Sequence, residues 1–291
     1  MNINKDLVTV IISAYNHEHF VRETIRSVIN QTYKNIELII VDDGSIDNTW
    51  NVIQKVKSKC KERFCRLVVE HQKNHGFVYT LNKSLKLAKG RYLYLLASDD
   101  IILPKTIEIL HNNIGNFDMI FPDLSWIDSI GRKLYLDTDG NFYYKSGKNC
   151  YRSMHKLIID KQFPDLDKPN FDFYGPLLRD NYINVGGLFR TQTIKDIGGW
   201  KGDGIEDYYM NLQLAKRKKI KRLKEVLFLY RRHGKNWSSD RKAVQKSVKN
   251  IFMQERLYCI KNGYQEIWNQ VYETRYSSIW NDFLLFLQNV K

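Results

Sequence analysis

The sequence predicts an α/β fold built on a parallel sheet, and three observations carry that expectation. Short β-branched runs alternate with segments of helical period through the first half of the chain. Three of the runs end in polar clusters: Ser13-Ala-Tyr15-Asn16, Asp42-Asp43 and Ser98-Asp99-Asp100. A chain of 291 residues with 43% hydrophobic and 13% aromatic residues can also fill a sizeable core between helices and sheet.

Leu7-Val-Thr-Val-Ile-Ile12 is the first predicted strand, a β-branched run suited to burial on both faces. Between Asn16 and Asn30, the apolar residues Phe20, Val21, Ile25, Val28 and Ile29 recur at helical spacing. Ile36–Val41 is the second strand; Asp47-Asn48-Thr49 can then cap a helix with Trp50, Ile53 and Val56 on its apolar face. A third strand is expected at Arg66–Glu70, a helix from about Gly76 to Ala88 and a fourth strand at Tyr92–Ala97. Beyond Lys105 the pattern weakens. Met119–Pro122 reads as a strand, Asn141–Tyr144 as a loop, Lys168–Pro176 as an aromatic, turn-rich stretch and Val226–Tyr230 as a strand. From Asp240 the spacing of Ile251, Phe252, Leu257, Ile267, Val271 and Tyr272 is helical, and Ile279–Leu287 is strongly apolar.

In a sheet of alternating strands and helices the ligand crevice lies beyond the carboxyl ends of the strands, so the three polar clusters are expected along one edge. No Gly-x-Gly-x-x-Gly follows the first strand, which argues against a dinucleotide site. Asp99 and Asp100 stand side by side at a strand end. Burying two like charges there is costly, and Mn²⁺ or Mg²⁺ removes the cost while leaving positions for phosphate. A solvated acidic turn or a helix start before Pro104 is the plainer alternative.

The net charge of +14 is unevenly placed: 14 Lys/Arg against two acids give +12 between Ala215 and Asn250. Such a stretch suits a phosphorylated ligand, an anionic membrane face or nucleic acid. Cys60, Cys65, Cys150 and Cys259 show no zinc-type spacing, which suggests reduced thiols. Met1–Asp6 leads straight into strand-like sequence without a signal-peptide pattern, and no apolar run approaches the length of a spanning helix. A cytoplasmic protein is expected, held at the inner membrane face if the basic stretch docks there.

The chain resembles the family 2 glycosyltransferases through motifs in a fixed order: Val8–Asn16, Ser27-Val-Ile-Asn-Gln-Thr-Tyr33, Glu37–Ser45, Asn74-His-Gly76, Asn82, Ala88–Tyr92, Ser98–Pro104, Phe189-Arg190, Gly198-Gly199-Trp200 and Glu206-Asp207. The resemblance implies a GT-A, Rossmann-like mixed sheet flanked by helices, with a C-terminal helical extension. It implies a catalytic domain over 1–233, split into a nucleotide-sugar half (1–104) and an acceptor half (105–233), followed by the extension over 234–291. It further implies inverting, metal-dependent hexosyl transfer from a nucleotide-diphosphate sugar to a glycan or lipid-linked glycan, in cell-surface polysaccharide or oligosaccharide assembly. By match, Tyr15 stacks on the base and Asp43 hydrogen-bonds its edge. Ser13, Asn16, Asp42 and Asn82 belong to the same nucleotide-sugar site. Asp99 faces the ribose or the metal, and Asp100 ligates Mn²⁺ or Mg²⁺ directly. Asp207, beside Glu206, is by match the general base. From the residues themselves, His233 is a candidate third metal ligand or diphosphate contact, and Arg231 and Arg232 suit bidentate contact with the diphosphate.

Ser13 stands where the family usually has Pro, and Thr80-Leu81 replaces a small-plus-basic pair. UDP is the preferred nucleotide, with dTDP and GDP open. No Gln-x-x-Arg-Trp follows Asp207, which argues against a processive synthase. The competing readings are a nucleic-acid-binding protein using residues 215–250 and a nucleotidyltransferase. The first leaves three acid pairs unexplained, and the second lacks a glycine-rich phosphate loop.

Overall fold

The computed structural model describes residues 6–137, 141–147, 150–156, 166, 168, 171–179, 181–183, 185–202, 205–234 and 241–276. In chain order the strands are β1 (Val8–Ala14), β2 (Ile36–Asp42), β3 (Arg66–His71), β4 (Tyr92–Ala97), β5 (Ile101–Ile102), β6 (Met119–Asp128), β7 (Lys133–Leu136), β8 (Phe142–Tyr143), β9 (Leu188–Arg190) and β10 (Ile220–Arg232). The helices are α1 (Val21–Ile29), α2 (Thr49–Arg63), α3 (Phe77–Leu87), α4 (Thr106–Asn113), α5 (Tyr174–Arg179), α6 (Thr191–Ile197), α7 (Glu206–Lys216), α8 (Arg241–Gln254), α9 (Arg256–Lys261) and α10 (Gln265–Arg275).

The sheet runs β3-β2-β1-β4-β9-β6-β10-β5, with β7 on β6 and β8 on β7. The first four strands are parallel, as the alternating pattern predicts. β9 lies antiparallel between β4 and β6, and β10 is parallel to β6, so the whole sheet is mixed. This arrangement points the carboxyl ends of β1, β2, β4, β6 and β10 to one edge. Strand periodicity divides the core. Val8, Val10 and Ile12 of β1 meet Val21, Ile25, Val28 and Ile53 of α1 and α2 on one face. Ile11 joins Ile39, Val41, Leu81 and Leu85 on the other. Each such buried aliphatic side chain contributes about 1.5–3 kcal/mol.

Two segments differ from expectation. β6 continues through Pro122 to Asp128, although a proline lacks the N–H of a central strand. The ladder absorbs it with irregular register: Phe121 pairs with Arg222, Asp123 with Val226 and Leu124 with Phe228. Asn141–Tyr144 is not only loop, because Phe142–Tyr143 pairs with β7.

The C-terminal helices α8 to α10 share the second core face with α5 and α7. Phe252 stacks on Trp268 at 5.1 Å, and both are buried there. Buried Glu255 accepts from Tyr174 Oη at 2.6 Å and pairs with Lys216 of α7 at 2.7 Å. The apolar run 279–287 lies outside the described residues.

Candidate active site

The loop leaving β1 exposes one aromatic ring and locks its own backbone. Tyr15 is 46% exposed at the strand end. Asn16 takes φ 53°, a left-handed conformation that asparagine tolerates. Its N–H donates to Ser45 Oγ at 2.9 Å, and its Oδ1 accepts from Ile46 N–H at 2.9 Å. Ser13 is buried within β1, opposite Val41 and Ala97.

The acid pair after β2 faces inward. Asp42 is fully buried, accepting from Ser45 Oγ and lying 2.6 Å from His71 Nδ1. Asp43 accepts from Gln72 Nε2 at 2.7 Å, His75 N–H at 3.0 Å and Gly76 N–H at 2.9 Å, fastening the β3–α3 loop. Asn82 is also turned inward. It donates to the Trp200 carbonyl and accepts the Trp200 N–H, both at 2.9 Å, clamping α3 to the segment before α7. Asp42 and Asn82 thus brace the loops that border the nucleotide-sugar edge.

That clamp yields a prediction. A Cβ on Gly199 would stand 2.3 Å from Asn82 Oδ1 at φ +80°. Gly199→Ala is expected to break the clamp at a cost of about 1–3 kcal/mol. Thermal unfolding should show a midpoint lower by roughly 2–4 °C for each kcal/mol lost.

The acids after β4 separate in role. Asp100 is buried, and its Oδ1 accepts the Arg231 N–H at 2.8 Å. Burial, then the charge of Asp99, pushes its carboxyl well above the usual range, with Arg231 opposing. Asp99 instead meets the chain leaving β10: its Oδ2 lies 2.9 Å from His233 Nε2. That is the spacing of two donors sharing one divalent ion bonded at about 2.1 Å. Asp99 thus meets His233, while Asp100 turns one carboxylate oxygen to the Arg231 backbone. The ligand atoms of His17, Asp99 and His233 all lie within 4.8 Å of one another, so this donor set fits a divalent cation.

Arg231 is not aimed at a diphosphate. It is 1% exposed, donating to the Asp99 carbonyl at 2.7 Å, the Asp128 carbonyl at 3.1 Å and Glu23 Oε2 at 2.6 Å. Arg232, half-buried, lies with its guanidinium 5.4 Å from the Phe142 ring. The basic stretch is likewise partly internal. Lys216 pairs with Glu255, Arg217 with Asp118, and Arg222 is buried, while Lys218, Lys219, Lys224, Lys242 and Lys246 are exposed.

Glu206 and Asp207 open α7, where acids suit the helix dipole. Burial, then Asp207, pushes Glu206 up to about 8. Desolvation also raises Asp207, opposed by the Tyr208 N–H and by Asn181. Asn181 Nδ2 donates to Asp207 Oδ2 at 3.0 Å, and Asn211, one turn along α7, donates to Asn181 Oδ1 at 3.0 Å. The sequence reading missed Asn181 and His17. Asn181 lies in the least patterned stretch and gave no signal. His17 had one, its place directly after the Tyr15-Asn16 strand end.

A mixed sheet of this order, with an exposed aromatic, a carboxylate–imidazole pair at its carboxyl edge and an acid pair opening a nearby helix in sequence, is the plan of a GT-A transferase. Residues 9–165 match the model of glycosyl transferase family 2, and the chain belongs to that family. One relative is the Escherichia coli UDP-Glc:alpha-D-GlcNAc-diphosphoundecaprenol beta-1,3-glucosyltransferase WfgD. It is 32% identical over 195 residues, which are 62% of this chain and 72% of that protein. S. aureus TarS 1–349 in complex with UDP-GlcNAc has the same fold: TM-score 0.60, 19% identity, covering 85% of this chain and 66% of that one. So does the mannosyltransferase PcManGT of Pyrobaculum calidifontis in complex with GDP-Man and Mn²⁺, with TM-score 0.62, 15% identity and coverage of 91% and 69%. The chain thus spans about two thirds of the length of these proteins. Among the described residues no helix is long and apolar enough to cross a membrane.

Proposed function

We propose that the protein is an inverting hexosyltransferase that uses a UDP-sugar and a divalent cation and glycosylates a hydroxyl of a lipid-linked glycan. The observation that carries this reading is the meeting of Asp99 with His233, donors 134 residues apart brought to the carboxyl edge of the sheet. The UDP-Glc donor and diphosphoundecaprenol-linked acceptor of WfgD and the UDP-GlcNAc complex of TarS favour UDP and a lipid-linked sugar, and the Mn²⁺ complex of PcManGT favours a cation.

In this reading Tyr15 offers its exposed face to the base, and Asp43 fixes the loop beside it. Ser13 and Asn16 shape the floor of the pocket, and Arg232 is the remaining arginine for the donor's phosphates. Asp99 and His233 would hold a divalent cation, which would supply positive charge for the departing diphosphate. Asp207, oriented by Asn181, takes the proton of the acceptor hydroxyl as its oxygen bonds to the anomeric carbon. The bond from that carbon to the diphosphate oxygen breaks, and the electron pair leaves with the nucleoside diphosphate. The exposed lysines suit an anionic membrane surface, where a lipid-linked acceptor resides. Among the described residues, the pairing of Lys216 with Glu255 and Arg217 with Asp118 and the burial of Arg222 weaken the nucleic-acid reading of the basic stretch.

The test is thermal unfolding with UDP, GDP, dTDP, CMP or ATP, each with and without Mn²⁺. A ligand at a hundred times its dissociation constant adds about 2.7 kcal/mol. A Mn²⁺-dependent rise with UDP alone is expected, and an equal rise with every nucleotide would contradict the donor assignment.

The acid pair also sets a pH dependence. A carboxyl with a folded pKa above its unfolded value keeps a proton the unfolded chain has lost, so its contribution to stability falls as pH rises between the two. For Glu206 that window runs from 4.5 to about 8. Turnover needs Asp207 ionised, so kcat/KM should rise with pH along a limb above the ordinary carboxylate range. Glu206 still holds its proton while Asp207 titrates, so Glu206→Gln removes no charge and should leave that limb in place. A limb displaced to lower pH would mean that Glu206 ionises first.

A further inference from the structure

We propose that His17 is a third protein ligand of the cation, completing a two-histidine, one-carboxylate set that selects a transition-metal ion such as Mn²⁺ over Mg²⁺. The inference rests on the cation-dependent reading above and deepens it. Among the described residues, His17, Asp99 and His233 are the one group of three or more His, Cys, Asp or Glu side chains that could hold a metal ion. Donors sharing an ion bonded at about 2.1 Å lie up to about 4.2 Å apart, so a spread within 4.8 Å closes by side-chain shifts of a few tenths of an ångström.

His17 is built into its place. Its backbone N–H donates to Thr49 Oγ1 at 2.7 Å, and its ring Nδ1 lies 2.7 Å from Ser98 Oγ. A ligating histidine commonly gives its other ring N–H to a fixed partner, which sets tautomer and orientation. The Ser98 hydroxyl fixes the orientation of the His17 ring. Phe20 steadies both imidazoles: it stacks on His233 at 4.6 Å and meets His17 edge-on at 5.9 Å. The two histidine rings are themselves edge-on at 5.6 Å. Asp100, the next residue, turns its Oδ1 to the Arg231 N–H.

The chemistry decides the metal. Mg²⁺ takes oxygen ligands, whereas imidazole suits first-row transition ions. One carboxylate could serve either, but two imidazoles disfavour Mg²⁺ against first-row transition ions, of which Mn²⁺ also accepts oxygen ligands and binds such a set least tightly. His17 therefore acts on selectivity more than on charge.

The experiment is Mn²⁺ binding to the full chain with UDP and no acceptor, read by titration of the free-ion electron paramagnetic resonance signal and by nitrogen modulation of the bound ion. Wild type is expected to show two imidazole nitrogens, with Mg²⁺ displacing Mn²⁺ only in large excess. His17→Ala should leave one nitrogen, weaken Mn²⁺ at least tenfold and narrow the gap to Mg²⁺. His17→Gln, which can still reach Ser98, should lose the same nitrogen while retaining the wild-type melting temperature. Wild-type Mn²⁺ affinity and two nitrogens in both variants, with loss in His233→Ala, would overturn the role of His17 and leave the cation reading intact. No Mn²⁺ binding by wild type with UDP would overturn the cation reading itself.

Discussion

Asp207→Asn is expected to lower kcat by roughly 10²–10⁴, the range a positioned general base contributes, without changing UDP affinity. Asparagine keeps the shape and can still accept the Tyr208 N–H, now 2.8 Å from Asp207 Oδ1, so the start of α7 should persist. What it loses is the basic oxygen that takes the acceptor's proton. The loss should appear in turnover under saturating donor and acceptor, with the UDP- and Mn²⁺-dependent thermal shift retained. Near-normal turnover in this variant would place the base elsewhere. Asn181→Ala is the graded companion, because it leaves the carboxylate but frees its orientation.

Arg231→Leu is expected to be the most destabilising single change at the strand edge. The guanidinium is buried and satisfies the carbonyls of Asp99 and Asp128 along with Glu23. Removing it strands those acceptors and takes positive charge away from buried Asp100. Breaking such a buried network costs about 3–5 kcal/mol, and a midpoint fall on the order of 10 °C should follow in ligand-free thermal unfolding. Arg232→Ala, at a half-buried position, should move the midpoint far less. The pair of variants separates two roles: a diphosphate-binding Arg231 would give an unchanged midpoint and lost UDP affinity.

These two residues also show what the sequence could and could not convey. The parallel strands were legible because their β-branched runs and polar ends are local signals, and Tyr92–Ala97 stands in the structure with the predicted bounds. The convergence of Tyr15, Asp43 and Asp99 on one edge followed from strand direction alone. Which of Arg231 and Arg232 points inward was not legible, since alternation along a strand fixes the pattern and not its phase. The clamp made by Asn82 carries no local signal, because its partner, Trp200, is 118 residues away. His17 went unread for the same reason: its ring partners are Ser98 and His233, on distant strand ends. The passage of β6 through Pro122 depended on irregular pairing with β10, which no local pattern encodes.

The order of the adjacent acids is the subtler case. Asp99 and Asp100 are chemically alike, and only the path of β10 distinguishes them. The Arg231 N–H takes Asp100, and His233, two residues on, takes Asp99. The tail was legible as helix but not as packing. Its link to α7 runs through Glu255, whose partners Tyr174 and Lys216 come from other helices.

The central claim is sugar transfer from a UDP-sugar to a lipid-linked glycan, and the most direct measurement is product formation by mass spectrometry. The full chain, UDP-Glc and Mn²⁺ would be incubated with a GlcNAc-diphospho-lipid acceptor and, in parallel, with the Asp207→Asn variant. An acceptor heavier by one hexose is expected, with UDP released in equal amount and no product from the variant. Release of UDP without a glycosylated acceptor, or product formed equally by the variant, would contradict it.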